Sequence, residues 1–255
     1  MRHHIKNLFI YCFLLVVSLP VVAAPVFESG KTRVSLLELY TSEGCSSCPP
    51  ADRWLSGLKE DDRLWKEVVP VAFHVDYWNY IGWKDRFALP EYSNRQRRYA
   101  RDHNVSTVYT PGFLLNGKEW RSFFGLRQLK TASDENVGQL NARLDGKNIQ
   151  ARFIPAHASS DSLVLNIAVL GFNLTTDVGA GENSGRTLRH DFTVLGHKTV
   201  ELEHSDNQYS VMTTLPDLNV NVGDKRMGIA LWINRRNNLV PLQATGGWLE
   251  SGYND

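Results

Sequence analysis

The sequence predicts an α/β domain, with a mixed sheet and flanking helices, followed by a small antiparallel β-sandwich domain. Apolar runs at residues 34–40 and 68–76 flank a helical pattern at 51–58, which is typical of a β-α-β unit with two parallel strands. Asn116-Gly117 lies between two strand-like runs and is the strongest short signal for a hairpin. After residue 147 the pattern becomes a series of short strands without a convincing helix, which favours an all-β unit.

The first 24 residues have the features of a secretory signal peptide. A basic start at Arg2 and Lys6 precedes an apolar run at residues 8–19, and Val22-Ala23-Ala24 has the small residues of a cleavage site. A transmembrane anchor is the alternative, but this run is shorter than the ~20 residues that a spanning helix needs. We therefore expect a periplasmic or secreted protein with no membrane span after leader removal. The predicted units are the leader at 1–24, the α/β domain at 25–147 and the all-β domain at 148–255.

Composition limits the classes of partner. The formal net charge of the 255 residues is +1, so no general electrostatic attraction to nucleic acid is expected. Residues 178–185 contain three glycines, but no Lys-Ser or Lys-Thr follows them, as a phosphate-binding loop would require. We interpret this segment as a mobile loop.

A closely spaced pair of cysteines is the best candidate for chemistry. Of three cysteines, Cys12 lies in the leader, so the exported chain keeps Cys45 and Cys48. A bridge that closes only two intervening residues constrains the unfolded chain little, which favours redox chemistry or metal binding over a structural role. We expect Cys45 to be the more exposed and the attacking thiol, and Cys48 to resolve the mixed disulfide. Pro49 suits the first turn of a helix, so the helix should begin there with Cys48 near its N-cap.

The order of the predicted elements resembles the thioredoxin fold over roughly residues 33–146. Thr110-Pro111 precedes the hairpin and is a candidate cis peptide. A last helix is predicted from residue 133 to about 144, where Val137, Leu140 and Leu144 would share one face. The resemblance implies that a proline loop at Thr110 and Pro111 lies beside the dithiol and binds the substrate backbone.

Longer motifs are similar to one particular family. They are Glu-Leu-Tyr-Thr-Ser-Glu-Gly-Cys-Ser-Ser-Cys-Pro-Pro-Ala-Asp at 38–52, Phe-His-Val-Asp-Tyr-Trp at 73–78, Gly-Trp-Lys-Asp at 82–85, Arg-Gln at 95–96 and Tyr-Thr-Pro at 109–111. They resemble a secreted bacterial thioredoxin-like family that is catalogued as domain of unknown function 1223. The resemblance spans most of the exported chain. It implies a fold and a compartment, but no substrate or activity.

Three functions remain open at this point. The first is a thiol–disulfide oxidoreductase that acts on exported protein thiols or on a redox partner protein, and that needs neither a cofactor nor a metal. The second is a copper-binding module, because Cys45, Cys48 and His74 would offer soft thiolate and imidazole ligands. The third is a non-catalytic interaction protein with a bystander dithiol. The sequence predicts no oligomeric state.

Several polar residues near the dithiol have two interpretations each. Glu38, in an apolar strand, would be either a proton relay or a hydrogen-bonded acid. His74 would tune the thiolate or bind a metal, or it would be a core histidine hydrogen-bonded to Asp76. The aromatic residues at 77–83 would line a cleft or pack as a loop. The arginine-rich helix at 91–103 would be a solvated face or a docking site.

Overall fold

Among the residues that the structure describes, two helices and two short 3₁₀ turns lie between strands of the first half of the chain. A computed structural model describes residues 24–121 and 129–250, so the predicted leader, apart from Ala24, lies outside the described residues. The helices are α1 (Pro49–Ser56) and α2 (Pro90–Arg101), and the 3₁₀ turns are Gly57–Glu60 and Asp76–Ile81. No helix in the described ranges is long and apolar enough to cross a membrane.

Strands form most of the regular structure. The strands are β1 (Val26–Glu28), β2 (Ser35–Thr41), β3 (Val68–His74), β4 (Gly112–Leu115), β5 (Lys118–Glu119), β6 (Gly138–Asp145), β7 (Asn148–Pro155), β8 (Leu163–Gly171), β9 (Leu174–Asp177), β10 (Thr187–His190), β11 (Thr193–Glu201), β12 (Glu203–Ser205), β13 (Gln208–Thr214), β14 (Met227–Arg235) and β15 (Pro241–Trp248). They make an eight-stranded sheet of order β15-β14-β8-β11-β3-β2-β4-β5, a five-stranded sheet of order β1-β6-β7-β13-β12, and the two-stranded β9–β10 hairpin.

The eight-stranded sheet joins the two halves of the chain. Strand β2 pairs with β3 in parallel, as the β-α-β pattern predicted. Strand β11 then pairs with the other edge of β3, also in parallel, with Thr193 opposite Ala72. The Ala72 amide donates to the carbonyl of Phe192 at 2.8 Å. Strands from both halves of the sequence therefore lie in one sheet.

The predicted fold class is wrong. The structure is 43% strand and 14% helix with large multi-stranded sheets, rather than a thioredoxin-like α/β domain followed by a small β-sandwich. The reason is the β3–β11 pairing, which joins segments far apart in the sequence and which no local pattern encodes. The predicted boundary after residue 147 coincides with the turn between β6 and β7, and the division into domains stays a prediction.

The helix predicted at residues 133–144 is also wrong, because most of this segment is strand β6. Leu140, Ala142 and Leu144 are buried while their neighbours are half-buried or exposed, which is the two-residue period of a strand. The same leucines also fit the helical spacing, so the pattern was ambiguous. Pairing with β7 along the whole strand decides it.

Other local predictions are confirmed. Helix α1 begins at Pro49 with Cys48 as its N-cap. The Asn116-Gly117 hairpin joins β4 and β5, with φ of 51° and 75° at its two central residues, as a type I′ turn requires. One apolar core contains residues of β2, β3, β4 and the helices. A second lies between the two large sheets.

Candidate functional site

A disulfide between Cys45 and Cys48 lies at the junction of β2 and α1. The two Cα atoms are 5.4 Å apart, within the usual range for a disulfide. All seven residues of β2 are buried, so the start of the loop that contains the cysteines, residues 42–48 (the dithiol loop), is fixed in the sheet. Pro49 occupies the first turn of α1, where its missing N–H costs nothing.

Both cysteines are fully buried, so the expectation that Cys45 is the more exposed is wrong. Residues 178–185, which connect β9 to β10, form a cover loop above the dithiol loop. Asn183 Nδ2 donates to the carbonyls of Glu43 at 2.8 Å and of Cys45 at 3.0 Å. The Ser46 amide donates to Glu182 Oε2 at 3.0 Å. The segment interpreted as a mobile loop thus contacts the dithiol loop directly.

A buried polar cluster lies next to the dithiol loop. It consists of Glu43, Asp52, His74, Asp85 and His190, all of which are at most 7% exposed. Asp85 Oδ2 is 2.7 Å from His74 Nδ1 and accepts from the Glu43 amide at 2.9 Å. The rings of His74 and His190 are 4.9 Å apart, and His190 Nε2 is 3.3 Å from Glu43 Oε1. Asp85 therefore ties the beginning of the dithiol loop to strand β3.

The charges of this cluster are set by its internal pairs. Burial lowers the pKa of His74, but the charge of Asp85 and the hydrogen bond to it raise the pKa to about 9. Burial disfavours the charged form of Asp85, yet His74 brings the pKa of that carboxyl below its usual value. On helix α1, burial raises the pKa of Asp52, with His190 and His74 opposing the shift. Both shifts favour the charged forms, a protonated His74 beside an ionised Asp85.

Several polar atoms of the cluster make no hydrogen bond. They are His74 Nε2, both ring nitrogens of His190 and Glu43 Oε1, so the 3.3 Å approach of His190 Nε2 to Glu43 Oε1 is a close contact without hydrogen-bond geometry. Even so, among residues 24–121 and 129–250 no three histidine, cysteine or acidic side chains are arranged to hold a metal ion. The copper alternative, which requires Cys45, Cys48 and His74 to act together, stays a prediction.

Thr110 and Pro111 lie at the same end of the sheet as the dithiol loop. The peptide bond between them is cis, as the sequence suggested, and the next residue, Gly112, opens β4 opposite Tyr40 of β2. Thr110 Oγ1 accepts from Trp78 Nε1 at 2.7 Å. Trp78 packs so closely on the dithiol loop that a Cβ at Gly44 would lie 2.9 Å from Trp78 Cβ. Trp78 thus connects the two segments, and the role of Thr110 and Pro111 in substrate binding stays a prediction.

Glu38 belongs to a different network from the dithiol. Its carboxylate accepts from Arg95 Nε at 2.8 Å, Tyr40 OH at 2.9 Å and Tyr99 OH at 2.5 Å. Glu38 is fully buried and Arg95 is 7% exposed. Of its two interpretations, the hydrogen-bonded acid is confirmed. The arginine-rich helix is not simply a solvated face, because Arg95 points into the core.

The predicted partner of His74 is wrong. His74 bonds Asp85, whereas Asp76 accepts a hydrogen bond from the hydroxyl of Ser93 on α2. Both Asp76 and Asp85 follow β3, and the alternation that put Asp76 on the face of His74 ends where the strand ends. The 3₁₀ turn that begins at Asp76 redirects its side chain toward α2.

The sequence missed six residues of the site. Glu43, Asp52 and Asp85 lie inside motifs that were noted, but nothing in the motifs indicated that they belong to one buried cluster. Glu182, Asn183 and His190 come from the β9–β10 hairpin, far along the chain from the dithiol. No spacing or motif relates that hairpin to Cys45 and Cys48, so only the three-dimensional structure could find these contacts.

Comparison with known proteins gives one family and two structures. The profile of DUF1223, described as a protein of unknown function, matches residues 36–234. A crystal structure of a protein from Agrobacterium tumefaciens is 25% identical, with a TM-score of 0.59, over 85% of this chain and 94% of that one. HBP35 of Porphyromonas gingivalis is 17% identical, with a TM-score of 0.57, over 87% of this chain and 76% of that one. No curated protein matches the chain.

Proposed function

We propose that this chain, which belongs to the DUF1223 family, is an exported thiol–disulfide oxidoreductase that exchanges its Cys45–Cys48 disulfide with thiols of exported proteins. The observation that supports this most directly is the disulfide itself, which closes only two intervening residues at the first turn of a helix. Loop-closure entropy gives so short a bridge only about 2 kcal/mol of stabilisation. Chemistry explains its presence better than stability does.

The position of Cys48 suits a leaving thiolate. As the N-cap of α1 it lies at the end of the helix where the backbone dipole is positive, which stabilises negative charge. A substrate thiolate would attack Cys45 Sγ, the Cys45–Cys48 bond would break, and its electron pair would move to Cys48 Sγ. A second substrate thiolate would attack the substrate sulfur of the mixed disulfide and release Cys45.

The exchange balances without a further reactant. Two substrate thiols become one substrate disulfide, and Cys45 and Cys48 take up the two electrons and two protons as a dithiol. In the reverse direction Cys45 attacks a substrate disulfide and Cys48 resolves the intermediate. The predicted leader supports an exported location, where protein substrates with exposed thiols or disulfides are available.

A pair of cysteine variants tests the proposal. The mature full chain, its Cys45→Ser variant and its Cys48→Ser variant are incubated with a model peptide that contains two cysteines, and peptide oxidation is followed by mass spectrometry. We expect the oxidised wild type alone to convert the reduced peptide to its disulfide, in a stoichiometric exchange, and the Cys48→Ser variant to form a trapped mixed disulfide through Cys45 when the peptide is supplied in its disulfide form. Equal, negligible rates for the wild type and Cys45→Ser would refute the proposed function.

A further inference from the structure

The β9–β10 hairpin is an excursion from the main sheet. It is inserted between β8 and β11, which pair side by side in the eight-stranded sheet, and it forms a two-stranded sheet of its own. Its base is held by Asp191, which pairs with Lys59 at 2.9 Å and accepts from the Asn173 amide at 2.8 Å. The cover loop at its tip can therefore move without breaking the large sheet.

Three hydrogen bonds fasten the cover loop to the dithiol loop. Two come from the amide of Asn183, and the third joins Glu182 to the Ser46 amide. Arg186 Nη1 donates to Asn183 Oδ1 at 2.7 Å and orients that amide. The fastening contacts use the side chains of only two cover-loop residues, one of which, Glu182, is exposed.

Two glycines allow the dithiol loop and the cover loop to pack closely against the same side chain, Ile81. A Cβ at Gly44 of the dithiol loop would lie 3.3 Å from Ile81 Cδ1, and a Cβ at Gly181 of the cover loop would lie 3.1 Å from the same atom. Ile81 is thus shared between the two loops. Both cysteines are fully buried, and the 3₁₀ turn and the cover loop both pack on the dithiol loop that carries them.

We propose that the cover loop is a lid that blocks thiol exchange at the disulfide until the Asn183 and Glu182 contacts break. Thiol–disulfide exchange requires the attacking sulfur to reach Cys45, and the closed arrangement does not permit this. The lid thereby slows the reaction of the dithiol with thiols that do not open it, and a small peptide reacts only when the loop opens spontaneously. This inference rests on the proposed function for its biological meaning, but access to the disulfide can be measured without it.

Reduction by the phosphine TCEP measures this access. The oxidised mature protein is mixed with excess TCEP under native conditions, and alkylated cysteines are counted over time by mass spectrometry. Each hydrogen bond of this kind shifts an opening equilibrium about fivefold. We expect Glu182→Ala to raise the reduction rate about fivefold and Asn183→Ala by at least about tenfold.

A variant within the same loop is the matched control. The Ser184 hydroxyl donates to Gly179 inside the cover loop, so Ser184→Ala should stay within about twofold of the wild type. Because the Glu182 side chain is exposed, Glu182→Ala should fold even if Asn183→Ala does not. If TCEP reduces the disulfide of Glu182→Ala at the same rate as that of the wild type, the lid proposal is wrong. If Glu182→Ala is reduced faster but oxidises the dithiol peptide no faster than Cys45→Ser does, the proposed function fails and the lid stands.

Discussion

We expect the substitution Glu38→Gln to destabilise the protein strongly without altering the chemistry of the dithiol. Glu38 is fully buried, and its carboxylate is the only acid within hydrogen-bond distance of the Arg95 guanidinium among the described residues. Glutamine keeps the volume and removes the charge. The Arg95 cation would then remain in a nearly closed site, against the rings of Phe73 and Trp232, without a counter-ion.

The magnitude follows from the geometry. Removal of one partner from a buried, hydrogen-bonded ion pair costs about 3–5 kcal/mol, because the other charge stays desolvated. For a chain of this size each 1 kcal/mol lowers Tm by about 2–4 °C. The variant should therefore melt about 6–20 °C below the wild type.

A double-mutant cycle isolates the ion pair. Glu38→Met, Arg95→Met and the double variant are compared with the wild type by urea unfolding. The losses in unfolding free energy of the two single variants should add up to about 2–3 kcal/mol more than the loss in the double variant. The reason is that the double variant leaves no buried charge without a partner. Arg97→Met is the matched control, because Arg97 lies exposed on the same helix, and it should change the stability by less than about 0.5 kcal/mol.

Two results would contradict this reasoning. A Glu38→Gln variant within about 1 kcal/mol of the wild type would mean that the buried carboxylate contributes little. A variant that keeps its stability and loses peptide oxidation would restore the proton-relay interpretation of Glu38.

Two further predictions concern residues close to the dithiol. Because Asp85 raises the pKa of His74 from 6.5 to about 9, this pair should contribute about 3 kcal/mol of stability that is fully present below pH 6.5 and is lost as the pH rises through 9. In urea unfolding, the difference in unfolding free energy between the wild type and His74→Gln should therefore shrink between pH 6 and pH 10. A difference that stays constant over this range would contradict the ion pair. Gly44→Ala should cost about 1–3 kcal/mol, because its Cβ would lie 2.9 Å from Trp78 Cβ. The same change at Gly57, where nothing lies within 4 Å, should cost less than about 0.5 kcal/mol, and equal losses at both positions would show that crowding is not the cause.

Local features of this fold could be predicted from the sequence because short-range physics decides them. Pro49 lacks an amide hydrogen and has a fixed φ, which within a helix suits only the first turn, and α1 begins there. Asn116 and Gly117 tolerate positive φ, and the chain turns there. The strands on either side of α1 were recognisable as buried apolar runs of the right length.

The errors come from choices that distant segments decide. Residues 138–145 fit both a helical and an alternating pattern, and the pairing with β7 selects the strand. Cys45 is buried rather than exposed, and its carbonyl and the neighbouring Ser46 amide are bonded by Asn183 and Glu182 of the cover loop. The local sequence around Cys45 contains no information about a loop that follows it by more than a hundred residues.

The parallel pairing of β11 with β3 makes the site indivisible. If the chain ended at residue 147, the side of β3 that faces β11 would be left as an open strand edge, which is a template for aggregation. The same fragment would lose the cover loop and His190. Because the pairing joins residues distant in sequence, its loop-closure entropy must be overcome before the sheet is complete. A fragment that ends at residue 147 would therefore expose Cys45 and Cys48 in surroundings that differ from those in the whole chain. Rates of thiol exchange at this disulfide should be measured on the whole chain.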